Sequence, residues 1–176
     1  MAEEIVTRVA FSVQGQLLIA DPCYIDEDDQ LESLGDLGVI LDDCEGTWVA
    51  EVKTSDEGDW GDRVSVLRAT RQGFETSPFT SSHELLGHNG VDSGQMFIGC
   101  AGAFPLNYNA VLERYKKSDG EWDDDLHFFG FGEGAISATG YGDGSYPVYV
   151  QRDVRGRPVV VEVRFMESED EEDEEN

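Results

Sequence analysis

The chain has 176 residues and carries 38 acidic against 12 basic side chains, a formal net charge of −26. A length of this order buries roughly 70% of the unfolded surface, so folding needs no disulfide or zinc staple, and the 9 Phe, 6 Tyr and 3 Trp supply bulk for a core. Such a negative surface repels phosphates and anionic lipids, which disfavours direct nucleic-acid or membrane binding, and no stretch of 18 apolar residues offers a transmembrane helix.

In chain order, residues 5–13 (IVTRVAFSV) and 16–20 (QLLIA) are β-rich runs separated by Gln14-Gly15, which predicts a hairpin. Asp21-Pro22 ends the second run, because proline cannot donate to a ladder. Residues 26–38 are acidic with leucines every third position (Leu31, Leu34, Leu37), the pattern of a short helical or 3₁₀ stretch. Thr47 to Lys53 alternates, with Trp48, Ala50 and Val52 on one side, and a second strand is expected from Arg63 to Ala69. Residues 71–90, rich in Ser, Thr and Gly, read as a long surface connection. Met96 to Cys100 (MFIGC) reads as a buried strand. Asn107 to Lys117 is the best helix candidate, with Tyr108, Leu112 and Tyr115 on one face and two lysines at its C-terminal end. Ala135 to Thr139 and Ser145 to Arg152 flank a glycine-rich turn, and Ser145–Arg152 with Pro158–Phe165 forms the strongest hairpin signal.

Seven or eight strands, one helix and no β-α-β alternation predict an α+β fold. It should be mainly antiparallel β-sheet, a sandwich or partly open barrel with one short helix. The expected organisation is a single domain over 1–165 and a disordered acidic tail over 166–176. That tail holds eight acids and leaves −18 for the domain. Three readings of the acidity stand: adaptation to high salt, a basic partner (including mimicry of nucleic acid), and a solubilising tail. Met1-Ala2-Glu3-Glu4 lacks the basic and apolar regions of a signal peptide, so a cytoplasmic location is expected. Cys23, Cys44 and Cys100 are odd in number and far apart, which suggests neither a disulfide framework nor a thiolate zinc site.

Three motifs can carry chemistry. Asp21-Pro22-Cys23-Tyr24 projects a carboxylate at a fixed angle from a strand end, beside a thiol on a stiff turn. The competing reading is plain turn chemistry. Gly90-Val91-Asp92-Ser93-Gly94-Gln95 can present a carboxylate, a hydroxyl and amides together, or be a turn or bulge. Gly140-Tyr141-Gly142-Asp143-Gly144-Ser145-Tyr146 lets the backbone approach a ligand, or is a tight hairpin turn. Lacking Lys-Ser/Thr and a following helix, it is no nucleotide P-loop. Gly130-Phe131-Gly132-Glu133-Gly134 repeats its texture and adds Glu133. His83-Glu84-Leu85-Leu86-Gly87-His88 looks like a zinc-protease helix, but its histidines stand five apart, about 140° round a helix, and cannot share a metal. Acidic loops at 56–62 and 119–125 do not match the EF-hand pattern and suggest only weak calcium or magnesium attraction; no cofactor is expected.

DPCY, VDSGQ and GYGDGSYPVYVQRD followed by GRPVVVEVRF together resemble a bacterial and phage family, domain of unknown function 4241. The resemblance is strongest over residues 90–165 and weaker over 16–24; it implies no assigned activity and no catalytic residues. The functional expectation is a small soluble binding domain for a small ligand or a basic protein partner, with a defence or immunity role among the options. Its site would gather Asp21, Cys23, Tyr24, Asp92, Ser93, Gln95, Glu133, Asp143, Ser145 and Tyr146. Two alternatives stand beside it: a metal-assisted or Cys23-dependent hydrolase, and a nucleic-acid-mimicking inhibitor. Oligomeric state is left open.

Overall fold

The computed structural model describes residues 8–24, 38–74, 84–103, 108–116, 119–123, 126–140 and 142–166. Eleven strands and one short helix are described. One sheet has six strands in the order β1 (Arg8–Val13), β4 (Gly46–Asp56), β5 (Asp62–Arg71), β11 (Pro158–Arg164), β10 (Gly144–Arg152) and β6 (Glu84–Val91). The other has five, in the order β3 (Gly38–Leu41), β2 (Leu17–Ala20), β7 (Gln95–Cys100), β9 (Gly134–Ala138) and β8 (Phe128–Gly130). All neighbours run antiparallel. The expected mainly antiparallel architecture is what the chain adopts.

Alternation explains the layering. Trp48, Ala50, Leu67, Ala69, Val148, Val150, Val161 and Val163 face inward from the first sheet. Leu17, Ile19, Met96, Ile98, Ala135 and Phe128 meet them from the second. The odd-numbered and even-numbered residues of β2 go to opposite sides, so Leu18 and Ala20 join Phe97, Phe129, Ile136 and Val111 in a smaller cluster on the outer side of the second sheet. Helix α1 (Tyr108–Glu113) covers that cluster, giving a third, partial layer. The helix is shorter than its sequence pattern predicts, and Val111, not Leu112, is its buried residue; Tyr108 and Tyr115 pack on the same cluster.

The outer face of the first sheet carries a buried ion pair. Arg68 Nη2 lies 2.9 Å from Glu162 Oε1, both side chains fully buried, and Arg164 Nε donates to Glu162 Oε2 at 2.7 Å. Arg164 also stacks on Tyr149, 4.2 Å from the ring centroid.

Two local expectations are overturned. β1 and β2 do not form a hairpin: β1 pairs with β4, β2 with β3 and β7, and Gln14-Gly15 carries the chain from one sheet to the other. Where 71–90 reads from sequence as a loop, residues 84–91 form β6, the last strand of the first sheet among the described residues, so His88 sits on a strand. The β10–β11 hairpin stands as expected. The leucine-spaced stretch at 26–37, His83 and the acidic tail from 167 lie outside the described residues.

Candidate functional site

Two of the three motifs are crossovers between the sheets. Asp92-Ser93-Gly94 leads from β6 in the first sheet to β7 in the second, and Thr139–Asp143 leads from β9 in the second to β10 in the first. Stacked sheets lie about 10 Å apart, so each crossing must turn sharply within a few residues. Gly94 (φ +71°) and Gly140 (φ +64°) adopt the left-handed backbone this requires. The two loops touch: a Cβ on Gly94 would stand 3.7 Å from Gly142 Cα. Because Gly144 pairs with Val91, Asp92 and Asp143 extend from adjacent strand ends at the same end of the sandwich. The glycine-rich segment is thus an inter-sheet crossover, not a hairpin turn.

Asp21 joins the DPCY segment to this end. It follows β2, is fully buried, and its carboxylate accepts four hydrogen bonds. Oδ1 takes the Cys23 amide at 2.9 Å and the Ser93 hydroxyl at 2.5 Å; Oδ2 takes the amides of Asp92 at 2.7 Å and Ser93 at 2.8 Å. Gln95 Oε1 lies 3.3 Å from the same hydroxyl. A carboxylate has about four lone-pair sites, and all are filled. Asp21 is therefore a brace between β2 and the β6–β7 crossover, with no acceptor left for a substrate proton or a metal.

Two tyrosines of the helix region, read from sequence as a helix face and not as site residues, complete the cluster. Burial raises the Tyr108 hydroxyl above its ordinary value, against a hydrogen bond with Ser93 that opposes the rise. Tyr115 is pushed up to about 12 by burial, with the Gln95 side chain opposing, and its hydroxyl has no hydrogen-bond partner of ordinary geometry. An aromatic pair spaced by seven on a helix was the available signal; it reads equally as plain core. Thr139 was also missed. Its hydroxyl donates to Gly142 O at 2.7 Å, and the Tyr146 hydroxyl donates to the same oxygen at 2.7 Å, so the two clamp the glycine loop. Burial raises the Tyr146 hydroxyl, and its ring stacks edge-on against Phe165.

Of the remaining candidates, Asp92, Asp143 and Ser145 are exposed at or beside the rim, while Cys23 is half-buried on the one-turn 3₁₀ segment Pro22–Tyr24. The Tyr24 and Tyr141 side chains lie outside the described residues. Glu133 does not belong with the others. It precedes β9 at the Gly99 end of β7, whereas Gln95 pairs with Ala138 at the other end, about 17 Å away at the usual strand rise. Its carboxylate accepts instead from the Ser12 amide at 3.3 Å.

Beside the rim, on the outer face of the first sheet, lies a cleft of about 400 Å³ lined by His88, Ser145, Tyr146, Pro147, Tyr149 and Arg164, with Phe165 and Met166 at its end. Among the described residues, no group of three or more His, Cys, Asp or Glu side chains is placed to hold a metal ion. In the two acidic loops, carboxylates serve the backbone: Asp56 accepts from the Gly58 amide and Asp119 from the Glu121 amide, each at 3.0 Å. None of the three cysteines is in a disulfide, and no helix among the described residues is long and apolar enough to cross a membrane. Comparison with protein-family models, curated proteins and solved structures gave no match.

Proposed function

We propose that the protein is a small binding domain that takes a polar small ligand in the cleft beside the glycine-rich crossover, with Ser145 in its wall and Asp143 two residues before it on the crossover. The observation that carries this reading is the cleft itself. Its volume of about 400 Å³ falls in the range of small-molecule sites. Its lining combines apolar area from Tyr149, Pro147 and Phe165 with a few polar groups in fixed positions. Arg164 is held by Glu162 and Tyr149, the Ser145 hydroxyl is exposed, and His88 stands on the neighbouring strand. Of the two crossovers beside it, the one that leads into Ser145 is clamped by Tyr146 and Thr139, and the other is braced by Asp21. Rigid walls lower the ordering cost of binding.

Saturation of Asp21 weighs against a hydrolase that would use it as base or metal ligand. The net charge of −26 keeps a basic protein partner as the second reading. Kinship with the domain-of-unknown-function 4241 family is proposed on the three motifs alone.

The test is thermal unfolding at low salt against Mg²⁺, Ca²⁺, Zn²⁺, EDTA and a panel of nucleotides and metabolites. A ligand at 100 times its dissociation constant adds about 2.7 kcal/mol. A shift that disappears in Ser145→Ala and Asp143→Asn supports the cleft. A shift retained in both variants places the ligand elsewhere, and a flat panel, with binding to a basic protein that collapses with salt, favours the second reading.

A further inference from the structure

The opposite end of the sandwich holds a second cleft, built around a buried cation without a counter-ion. Arg71 closes β5 and is only 7% exposed. Its guanidinium stacks on Trp48, 5.1 Å from the ring centroid, and one Nη donates to the Asp43 carbonyl. Nε is buried, and among the described residues it has no acceptor and no carboxylate lies within ion-pair distance of Arg71. A buried charge normally has a paired partner, because desolvation is otherwise uncompensated. The absence is anomalous in a chain with 38 acidic residues. The other buried arginine, Arg68, has its glutamate.

Arg71 lines a cleft of about 290 Å³ with Gly15, Asp43, Glu45 and Arg157. Asp43 is the sole non-glycine residue with positive φ (59°) among the described residues, so the loop that shapes the wall is held in an uncommon backbone conformation. Arg157 is anchored by Asp153, which accepts its Nε and lies 2.9 Å from its Nη2. The lining is thus of mixed sign, with a guanidinium that has no ion-paired carboxylate among the described residues and two carboxylates in the same wall.

We propose that this cleft binds a free α-amino acid, with the carboxylate on Arg71 and the ammonium toward Asp43 and Glu45. A guanidinium matches a carboxylate in planar, two-point geometry. A dianion such as phosphate meets two like charges in the same wall, whereas a zwitterion satisfies both signs at once. The volume, at the small end of ligand pockets, suits a molecule of that size. The site is independent of the cleft at the motif end: Arg71 closes β5, next to the Thr70–Val160 pair, and Ser145 is the second residue of β10, at the other end of the sheet.

The experiment follows the Arg71 Nε–H signal by nitrogen–proton NMR, with calorimetry alongside, in the full chain. Glycine, L-glutamate, acetate, methylamine, inorganic phosphate and sodium chloride are the titrants. The expected result is saturable movement of that signal with an amino acid, weakened about tenfold or more for acetate, since loss of a charge-assisted bond costs about that much. Arg71→Lys should abolish binding. Should that variant fail to fold, Glu45→Gln with Asp43→Asn should weaken amino-acid binding selectively and leave acetate unchanged. Equal response to acetate and glycine, tighter phosphate binding, or no saturable response overturns the proposal. So does movement of the Arg71 signal in ligand-free Glu45→Gln, which would show Glu45 serving as the counter-ion in solution. Ser145→Ala should leave the titration unchanged, which separates failure here from failure at the other cleft.

Discussion

Replacing Asp21 by asparagine probes the brace that joins the motifs. The carboxylate accepts from three backbone amides and one hydroxyl. Asparagine keeps one carbonyl oxygen and puts an NH₂ donor where the other acceptor stood. If the NH₂ replaces Oδ2, the amides of Asp92 and Ser93 both lose their acceptor. If it replaces Oδ1, the Ser93 hydroxyl can turn to Gln95 Oε1, 3.3 Å away, and only the Cys23 amide is stranded. The second arrangement is cheaper. It still costs about 1–3 kcal/mol for the stranded amide, and the surviving bonds lose their charge assistance, so a total near 3 kcal/mol is expected. Measured by urea unfolding, the midpoint should fall by about 1–2 M with an unchanged slope. Ser93→Ala should cost about 1 kcal/mol, and the double variant should cost less than the sum, because the two share a bond. A loss below about 1 kcal/mol for Asp21→Asn, or strict additivity with Ser93→Ala, would refute the brace.

Three further outcomes are expected. Tyr115→Phe removes a buried hydroxyl that finds no hydrogen bond of ordinary geometry among the described residues, so at pH 7 it should be neutral or stabilising by up to about 1 kcal/mol. The folded-state value of Tyr115 near 12 lies above the ordinary 10, so its contribution is intact below pH 10 and lost as pH rises through 12. Tyr115→Phe should therefore flatten the alkaline limb of stability by about 2–3 kcal/mol, and an unchanged limb on denaturant titration from pH 9 to 12 would contradict the assignment. Glu162→Gln takes the carboxylate from Arg68 and Arg164 in a fully buried setting and should cost about 3–5 kcal/mol by urea unfolding. Gly99→Ala would put a Cβ 2.5 Å from the Glu133 carbonyl oxygen and 2.7 Å from Gly134 Cα, so a loss of at least about 3 kcal/mol, or no folded protein on circular dichroism, is expected.

Strand character was legible because alternation of buried and exposed residues is local: Trp48, Ala50 and Val52 face inward as their spacing requires. Which sheet a strand enters was not legible, because alternation assigns a residue to a face and not to a partner. Gln14-Gly15 shows this. A glycine turn between two apolar runs is the hairpin signature, yet the same residues serve a crossover when β4 offers β1 a longer partner and β7 offers one to β2. β6 was missed for a related reason. Its sequence, ELLGHNGV, carries two glycines, and among the described residues it pairs with β10 alone, at the edge of the sheet, where few buried side chains betray a strand.

The site was half legible for the same physical cause. Glycines at 94, 140 and 142 mark backbone that leaves a regular ladder, and crossovers at one end of a sandwich meet as a matter of topology, so the DPCY, VDSGQ and GDG segments converge. Glu133 shared the texture but lay at the far end of β9, because texture carries no information on which end of a strand a loop occupies. Arg71 gave no signal at all. A single arginine closing a β-strand is unremarkable until its surroundings show, among the described residues, Nε without an acceptor and no carboxylate within ion-pair distance. In a chain of net charge −26, the long-range field favours any cation, and an arginine with no ion-paired carboxylate among the described residues is set apart by geometry rather than by composition. The two ends of the sandwich thus differ in kind. At one, a buried carboxylate has used every acceptor to hold loops together, so a ligand in the adjoining cleft has to be met by other groups such as Arg164 and Ser145; at the other, a buried guanidinium has an Nε donor without an acceptor among the described residues, beside a cleft.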